Sequence, residues 1–312
     1  MVFKQDTQSF DFGSAPSDSH IFTLPAGHTI GKVFSRGLTA ASGAVGMAVG
    51  TGGSIDKGAT DYLSGSIWDN STAIVARDFA RLEIGNVSTG QWLIDFFNMN
   101  TTSPVLMAGM GITNVHPNYT CSIRKATAAL DQVEIFNPAA VNFTAGVVNL
   151  VSYKRKAAVS SVTADATDET LAGLKKSKGM IVACGWDVDF SSAQNTGRML
   201  VSTGGVIQAG ASDYLQSVVG TNGIDLVEAS AALGDVAAYS VPGGFGAVGY
   251  GFMEADIRSA LVHHADFGVG ASSLAPLKHM GWFATAEANN EWTVRSSLAP
   301  STGTIYFTQY SV

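Results

Sequence analysis

The sequence is poor in charge. Asp, Glu, Lys and Arg make up 14% of its 312 residues, where a soluble domain usually carries about 25%. A surface with so few charges has little to hold neighbouring molecules apart. Positive charge is the scarcer sign: 18 Lys and Arg against 25 Asp and Glu leave a formal net charge of −7. That argues against nucleic-acid binding, which depends on a basic stripe. The basic runs, Lys154-Arg155-Lys156 and Lys175-Lys176-Ser177-Lys178, are short and read as solvated segments. Cysteine is almost missing. Cys121 and Cys184 lie in opposite halves, which gives no disulfide framework and leads us to expect buried thiols in a chain made in a reducing cytoplasm. No apolar run approaches the ~18 residues of a membrane span. Residues Met1 to His20 are polar, without the apolar stretch of a secretory leader. The five Asn-x-Ser/Thr triplets, at Asn70, Asn86, Asn100, Asn118 and Asn142, accordingly read as accidents of an Asn- and Thr-rich first half.

Glycine, in contrast, is abundant at 35 residues, and 46% of the chain is hydrophobic. Such a composition suits short strands joined by tight turns. The length suits two domains better than one.

The chain also repeats itself. Met47 to Leu63 recurs without gaps as Met199 to Leu215, sharing Thr51/Thr203, Gly52/Gly204, Gly53/Gly205, Ile55/Ile207, Gly58/Gly210, Asp61/Asp213 and Tyr62/Tyr214. A second pair closes each half: Phe143 to Tyr153 matches Pro300 to Tyr310, with Gly146 opposite Gly303 and Tyr153 opposite Tyr310. A repeat of this kind outweighs any local signal. It predicts an all-β chain of two tandem homologous β-sandwich or jelly-roll modules. Their expected bounds are Ile21–Lys154 and Gly179–Val312. Met1–His20 is expected as a polar arm that orders only against a neighbour. Arg155–Lys178 is expected as a linker in which Thr167 to Lys176 has the cap, early acids and late lysines of a short helix.

Within each module the closing strand has bulk on both faces (Val147, Asn149, Val151 and Tyr153 against Val148, Leu150 and Ser152), which predicts a central position between covering layers. Asp131 to Phe136 alternates and is expected as its half-exposed partner, with Glu291 to Arg295 in the same role in the second module. Gly52 and Gly53 supply positive φ for a turn, after which Tyr62 returns to the core. Asp61 and Asp213, each preceding a Tyr, are expected to make Asx-type turn bonds. Phe252 to His263 is compatible with a helix or with two strands.

Chemical motifs are weak. Gly244 to Gly249 spells G-x-G-x-x-G, but no acid follows at about 20 residues and no βαβ pattern surrounds it, so a Gly-rich turn is expected. His263 and His264 are adjacent, and on a strand they point to opposite faces and cannot grip one ion together. Asp187 and Asp189 share a strand face, as paired carboxylates of a glycan hydrolase would, but also as an exposed face or a calcium loop would. We expect no enzyme activity, no cofactor and no metal site. Trp68, Trp92, Trp186, Trp282 and Trp292 are candidates for an exposed glycan-binding groove, though large aromatics usually bury.

The closing segment, Phe143-Thr-Ala-Gly-Val-Val-Asn-Leu-Val-Ser-Tyr153, with Ser301-Thr-Gly-Thr-Ile-Tyr306 in the second copy, resembles the last strand of β-sandwich virion proteins of tailed bacteriophages. A second resemblance, carried by the duplication, the length and Phe22 to Gly27, is to the small double-jelly-roll capsid proteins of phages. What these resemblances imply is a virion structural protein, most of all a capsid-associated decoration or cement protein. It would be made in the host cytoplasm, form homo-oligomers and contact other virion proteins, with neither nucleic acid nor membrane as partner. A major capsid protein and a tail-associated receptor- or glycan-binding module are the alternatives.

Overall fold

The computed structural model describes residues 4–58, 60–68, 72–79, 82–86, 90–112, 117–125, 128–171, 180–190, 197–203, 206–207, 214–219, 229–231, 235–237, 243–253, 260–269, 278–283, 291–296, 299 and 301–311. Every regular element among them is a β-strand, and every strand pairing whose register is defined is antiparallel. The chain divides into two compact units, Met1–Lys156 and Ala157–Val312.

The first unit holds β1 (Gln5–Asp11), β2 (Ser19–Thr23), β3 (His28–Ala40), β4 (Ala44–Thr51), β5 (Ser54–Ile55), β6 (Tyr62–Trp68) and β7 (Thr72–Phe79). It continues with β8 (Leu82–Asn86), β9 (Gly90–Phe97), β10 (Val105–Ile112), β11 (Pro117–Arg124), β12 (Gln132–Phe136) and β13 (Phe143–Lys154). An eight-stranded sheet runs β1-β13-β3-β9-β10-β11-β6-β7, and a five-stranded sheet runs β2-β12-β4-β5 with β8 also on β4. One hydrophobic cluster draws on both: Val33, Ile94, Val148 and Leu150 from the large sheet meet Phe22, Met47, Val49, Val133 and Ile135 from the small one. The unit is therefore a β-sandwich. Each fully buried large side chain in it, such as Phe12, Phe96 or Phe143, contributes roughly 1.5–3 kcal/mol.

The second unit holds β14 (Lys156–Thr163), β15 (Asp168–Leu171), β16 (Met180–Phe190), β17 (Gly197–Thr203), β18 (Val206–Ile207), β19 (Tyr214–Val219) and β20 (Ala229–Ala231). Then come β21 (Asp235–Ala237), β22 (Gly243–Met253), β23 (Ala260–Val269), β24 (Lys278–Phe283), β25 (Glu291–Ser296) and β26 (Thr302–Ser311). Its sheets run β14-β26-β16-β22-β23-β24-β19-β20 and β15-β25-β17-β18, with β21 also on β17. The strand order of the first unit thus occurs again, strand for strand, in the second. Eight plus five strands per unit exceed the eight of a jelly roll.

Several expectations change. Of the expected polar arm Met1–His20, the described residues 4–20 are built into the fold: β1 pairs with β13 over Gln5 to Asp11, and β2 pairs with β12. An edge strand needs only one inward face, and Phe10 and Phe12 supply enough of it; Phe12 is fully buried and meets Phe143 edge-on at 4.8 Å. The linker Arg155–Lys178 carries β14 and β15, and Asp168 to Leu171, expected as helix, is a strand paired with β25. Residues 172–178 lie outside the described residues. The closing strand β13 stands second from the sheet edge, between β1 and β3. Its expected partner β12 lies in the opposite sheet, paired with β2 and β4, as β25 does with β15 and β17. Of Phe252 to His263, the ends belong to β22 and β23 and residues 254–259 lie outside the described residues.

Candidate functional site

The repeated segment forms a turn and a clamp beneath it. Thr51 pairs with Ser54 and Gly50 with Ile55, so Gly52 (φ 61°) and Gly53 (φ 82°) are the two central residues of a hairpin turn. Positive φ at both positions defines the type I′ turn, whose twist matches that of the strands. In the second unit Thr203 pairs with Val206 and Ser202 with Ile207, the same register. Gly204, Gly205 and Asp213 lie outside the described residues.

Tyr62 is fully buried at the start of β6. Its hydroxyl accepts a hydrogen bond from Val49 N–H at 2.9 Å and donates to Asp56 O at 3.0 Å. Burial pushes the phenol well above its ordinary range, so it stays a donor. Asp61 Oδ2 accepts from Gly58 N–H at 2.6 Å, and Asp61 N–H donates to Gly58 O at 3.1 Å. Arg124, 8% exposed, extends its guanidinium to Asp56 Oδ2 at 2.7 Å and lies 5.5 Å from the Tyr62 ring centre. Lys57 reaches Glu134 at 2.5 Å and lies over the Phe136 ring at 4.1 Å. Asp56, Lys57 and Asp61 are therefore held against the sandwich by groups that neutralise one another, an arrangement that stabilises geometry. Sequence reasoning found Asp61 and Tyr62 but missed Asp56, Lys57, Arg124 and Glu134. Single charges carry no motif, and the second copy has Gln208 and Ala209 in place of Asp56 and Lys57.

The closing segments also correspond. Gly146 (φ 99°) and Gly303 (φ 131°) take conformations that L residues avoid. A Cβ on Gly146 would fall 2.5 Å from the backbone of Gly37 and Leu38, and one on Gly303 would fall 2.4 Å from that of Asp187 and Val188. Their carbonyls accept from Phe12 N–H at 2.9 Å and from Ala164 N–H at 3.1 Å. Tyr153 is half-buried opposite Ile30, and Tyr310 is fully buried opposite Ile181. Tyr214 opens β19 opposite Phe283, the place that Tyr62 has in β6.

Beside Tyr153, His28 is buried with Nδ1 2.9 Å from Ser152 Oγ. Asn100 Nδ2 donates to its carbonyl at 3.0 Å. Loss of hydration holds the imidazole below its ordinary pKa, with Lys4 and Lys154 adding to the effect and Asp6 and the Ser152 bond opposing it.

The other sequence candidates do not come together. Gly244 to Gly249 lies inside β22, between β16 and β23, in extended backbone and not in a turn. His263 and His264 stand at successive positions of β23, opposite Tyr250 and Gly249. Asp187 and Asp189 lie on β16 opposite Thr304 and Thr302. Among the described residues no three His, Cys, Asp or Glu side chains converge as a metal site. Cys121 and Cys184 are buried thiols with no disulfide between them. Trp92 is 6% exposed. Trp68, Trp186, Trp282 and Trp292 are on strands, with side chains outside the described residues.

No family model matches the chain, and no curated protein sequence does. Solved structures give weak likenesses. The SPBc2 prophage-derived protein YomS is 15% identical over 49% of this chain and 97% of its own, with a TM-score of 0.22. Domains LG4-5 of the mouse laminin alpha1 chain are 10% identical over 95% and 86%, with a TM-score of 0.21. The Dit protein of phage SPP1, described as a hub of the adsorption apparatus in phages infecting Gram-positive hosts, is 7% identical over 86% and 99%, with a TM-score of 0.22. The class that the fold defines is an all-β protein of antiparallel sheets.

Proposed function

We propose that this protein is a bacteriophage virion structural protein, a decoration or cement protein of the capsid, assembled from two sandwich modules of common ancestry. It acts through protein contacts and not through catalysis. The observation that carries the reading is the doubled strand order, with the recurring residues at matching places: Thr51 and Thr203 at the hairpin, Tyr62 and Tyr214 at the start of the same strand, Gly146 and Gly303 at the same close approach. What recurs is geometry, which a scaffold needs in both copies and a single catalytic site does not. Low charge and a sequence rich in Gly, Thr, Ser and Val fit a surface meant to be covered by neighbours. Host-cytoplasmic synthesis and contact with shell proteins follow from the same reading.

The test is the composition of purified particles. Mass spectrometry of mature virions is expected to contain the chain, and negative-stain images of particles lacking it are expected to show an intact shell without surface density. Absence from mature virions overturns the proposal. A copy number that dominates the particle mass replaces it with a major capsid role.

A further inference from the structure

The two units end their large sheets differently. Among the described residues β1 and β14 are the outermost strands at corresponding edges. Phe12 N–H and Ala164 N–H donate to Gly146 and Gly303, which aligns the two edges residue by residue. Where β1 has Asp6, Thr7, Gln8 and Asp11, β14 has Ala158, Val159, Ser160 and Thr163. β1 is protected as edges usually are, by charge and by tied-down polar side chains; Gln8 Nε2 donates to Asp6 at 2.8 Å and to Thr23 O at 2.7 Å. The only charge in β14 is Lys156 at its first position, and the strand contains no proline or glycine. Val159 is 38% exposed on it, one of three exposed large hydrophobic residues among those described.

We propose that β14 is a docking edge for a second copy of this chain, the two β14 strands pairing antiparallel about a two-fold axis and joining two eight-stranded sheets into one. A two-fold that keeps each sheet face on its own side passes through a residue facing itself, and centring it on Val159 sets apolar Val159 against Val159. Ala158 then faces Ser160 of the second copy, Ala157 faces Ser161, and Lys156 faces Val162. No like charges meet, and both strands have the small and β-branched side chains that favour cross-strand packing. Charge favours this partner and this direction: exposed Lys156 of each copy comes to the end where the other has exposed Asp165. The contact is isologous, so it closes at two and does not propagate. An interface of one strand pair is below the size of stable complexes, so association depends on concentration. The proposal rests on the edge itself and not on the virion reading.

Sedimentation velocity of the full chain over a concentration series tests it. The wild type is expected to shift from monomer to dimer as concentration rises. Val159→Lys is expected to remain monomeric with an unchanged far-UV spectrum, and Thr7→Lys on β1 to associate like the wild type. Val159→Cys, which leaves the edge uncharged, is expected to form an interchain disulfide on oxidation. A wild type that is monomeric at every concentration overturns the proposal, and so does Val159→Lys that still dimerises or Val159→Cys that fails to cross-link. Loss of the protein from virions leaves these outcomes untouched, so the two readings fail separately.

Discussion

The positive-φ glycines of β3 and of the closing strands offer a graded test of the fold. Gly37 and Gly146 both lie at positive φ, 66° and 99°, but only Gly146 is crowded. Alanine at Gly37 has no atom within 4 Å of its Cβ, so it pays only for the left-handed conformation, about 1–2 kcal/mol. Alanine at Gly146 meets the Gly37 carbonyl and the Leu38 backbone at 2.5 Å, atoms that move only if the β13–β3 ladder opens. Conformational strain of roughly 1–3 kcal/mol and overpacking of about 1–3 kcal/mol then add to about 4 kcal/mol. At roughly 2–4 °C per kcal/mol for a domain of this size, Gly146→Ala is expected to lower a melting temperature by about 8–16 °C, and Gly37→Ala by about 2–8 °C. Differential scanning calorimetry of the full chain measures both. Gly303→Ala, with its Cβ 2.4 Å from Val188 Cα, is expected to match Gly146→Ala in size while acting on the second unit. The reasoning is refuted if Gly146→Ala melts within about 2 °C of the wild type, or no lower than Gly37→Ala.

Tyr62→Phe removes the acceptor of a buried Val49 N–H and the donor to Asp56 O, and is expected to cost about 1–3 kcal/mol, read as a lower urea midpoint at unchanged slope. Leu150→Ala and Phe307→Ala empty fully buried positions on the closing strands and are expected to cost about 2–5 and 3–5 kcal/mol; a loss below about 1 kcal/mol in denaturant titrations places those side chains outside a packed core. His28 has a folded-state pKa below 6.5 because burial disfavours its charged form, so between that value and 6.5 the unfolded chain binds the extra proton. Stability is therefore complete above about pH 6.5 and falls as pH drops below it. The slope of unfolding free energy against pH between 7 and 5 is expected to shrink in His28→Gln, with His20, shifted in the same direction by burial, keeping part of it. An unchanged slope excludes His28 as its source.

The readable parts of the fold were those where local geometry dictates residue type. A two-residue hairpin with positive φ at both positions calls for Gly52 and Gly53. A close approach of two strands calls for Gly146 and Gly303, and those residues therefore recurred in sequence. Sheet membership was not readable. The alternation in Gln132 to Phe136 reports that faces are buried, not which strand is alongside. Nearness in the chain suggested β13, whereas Asn137, donating its N–H to Asp18 O at 2.8 Å and its Nδ2 to Ser42 O at 2.9 Å, anchors the turn that carries the chain across to the other sheet. The arm resists reading for a similar reason: Gln5 to Asp11 alternates polar residues of graded exposure, and an edge strand with one covered side shows no hydrophobic pattern until Phe10. The ion pairs around Arg124 join residues as much as 68 positions apart, a relation that only the folded sheets create.

Two copies in one chain also act as a comparison of what the fold requires with what it permits. The inward positions of the closing strands keep apolar bulk in both, Val148 and Leu150 in one and Ile305 and Phe307 in the other, all 2% exposed or less. The hairpin register is kept to the residue. The edge strands are not kept: charge and amide on β1 give way to Ala, Val and Ser on β14. An edge that only has to stay soluble gains from Asp residues like those of β1, since an uncharged strand with open backbone groups invites pairing. The difference falls on an edge strand, while Ile305 and Phe307 of the closing strand stay buried. That distribution of change fits the contact proposed at β14; relaxation of the fold as a whole predicts erosion at Ile305 and Phe307 as well.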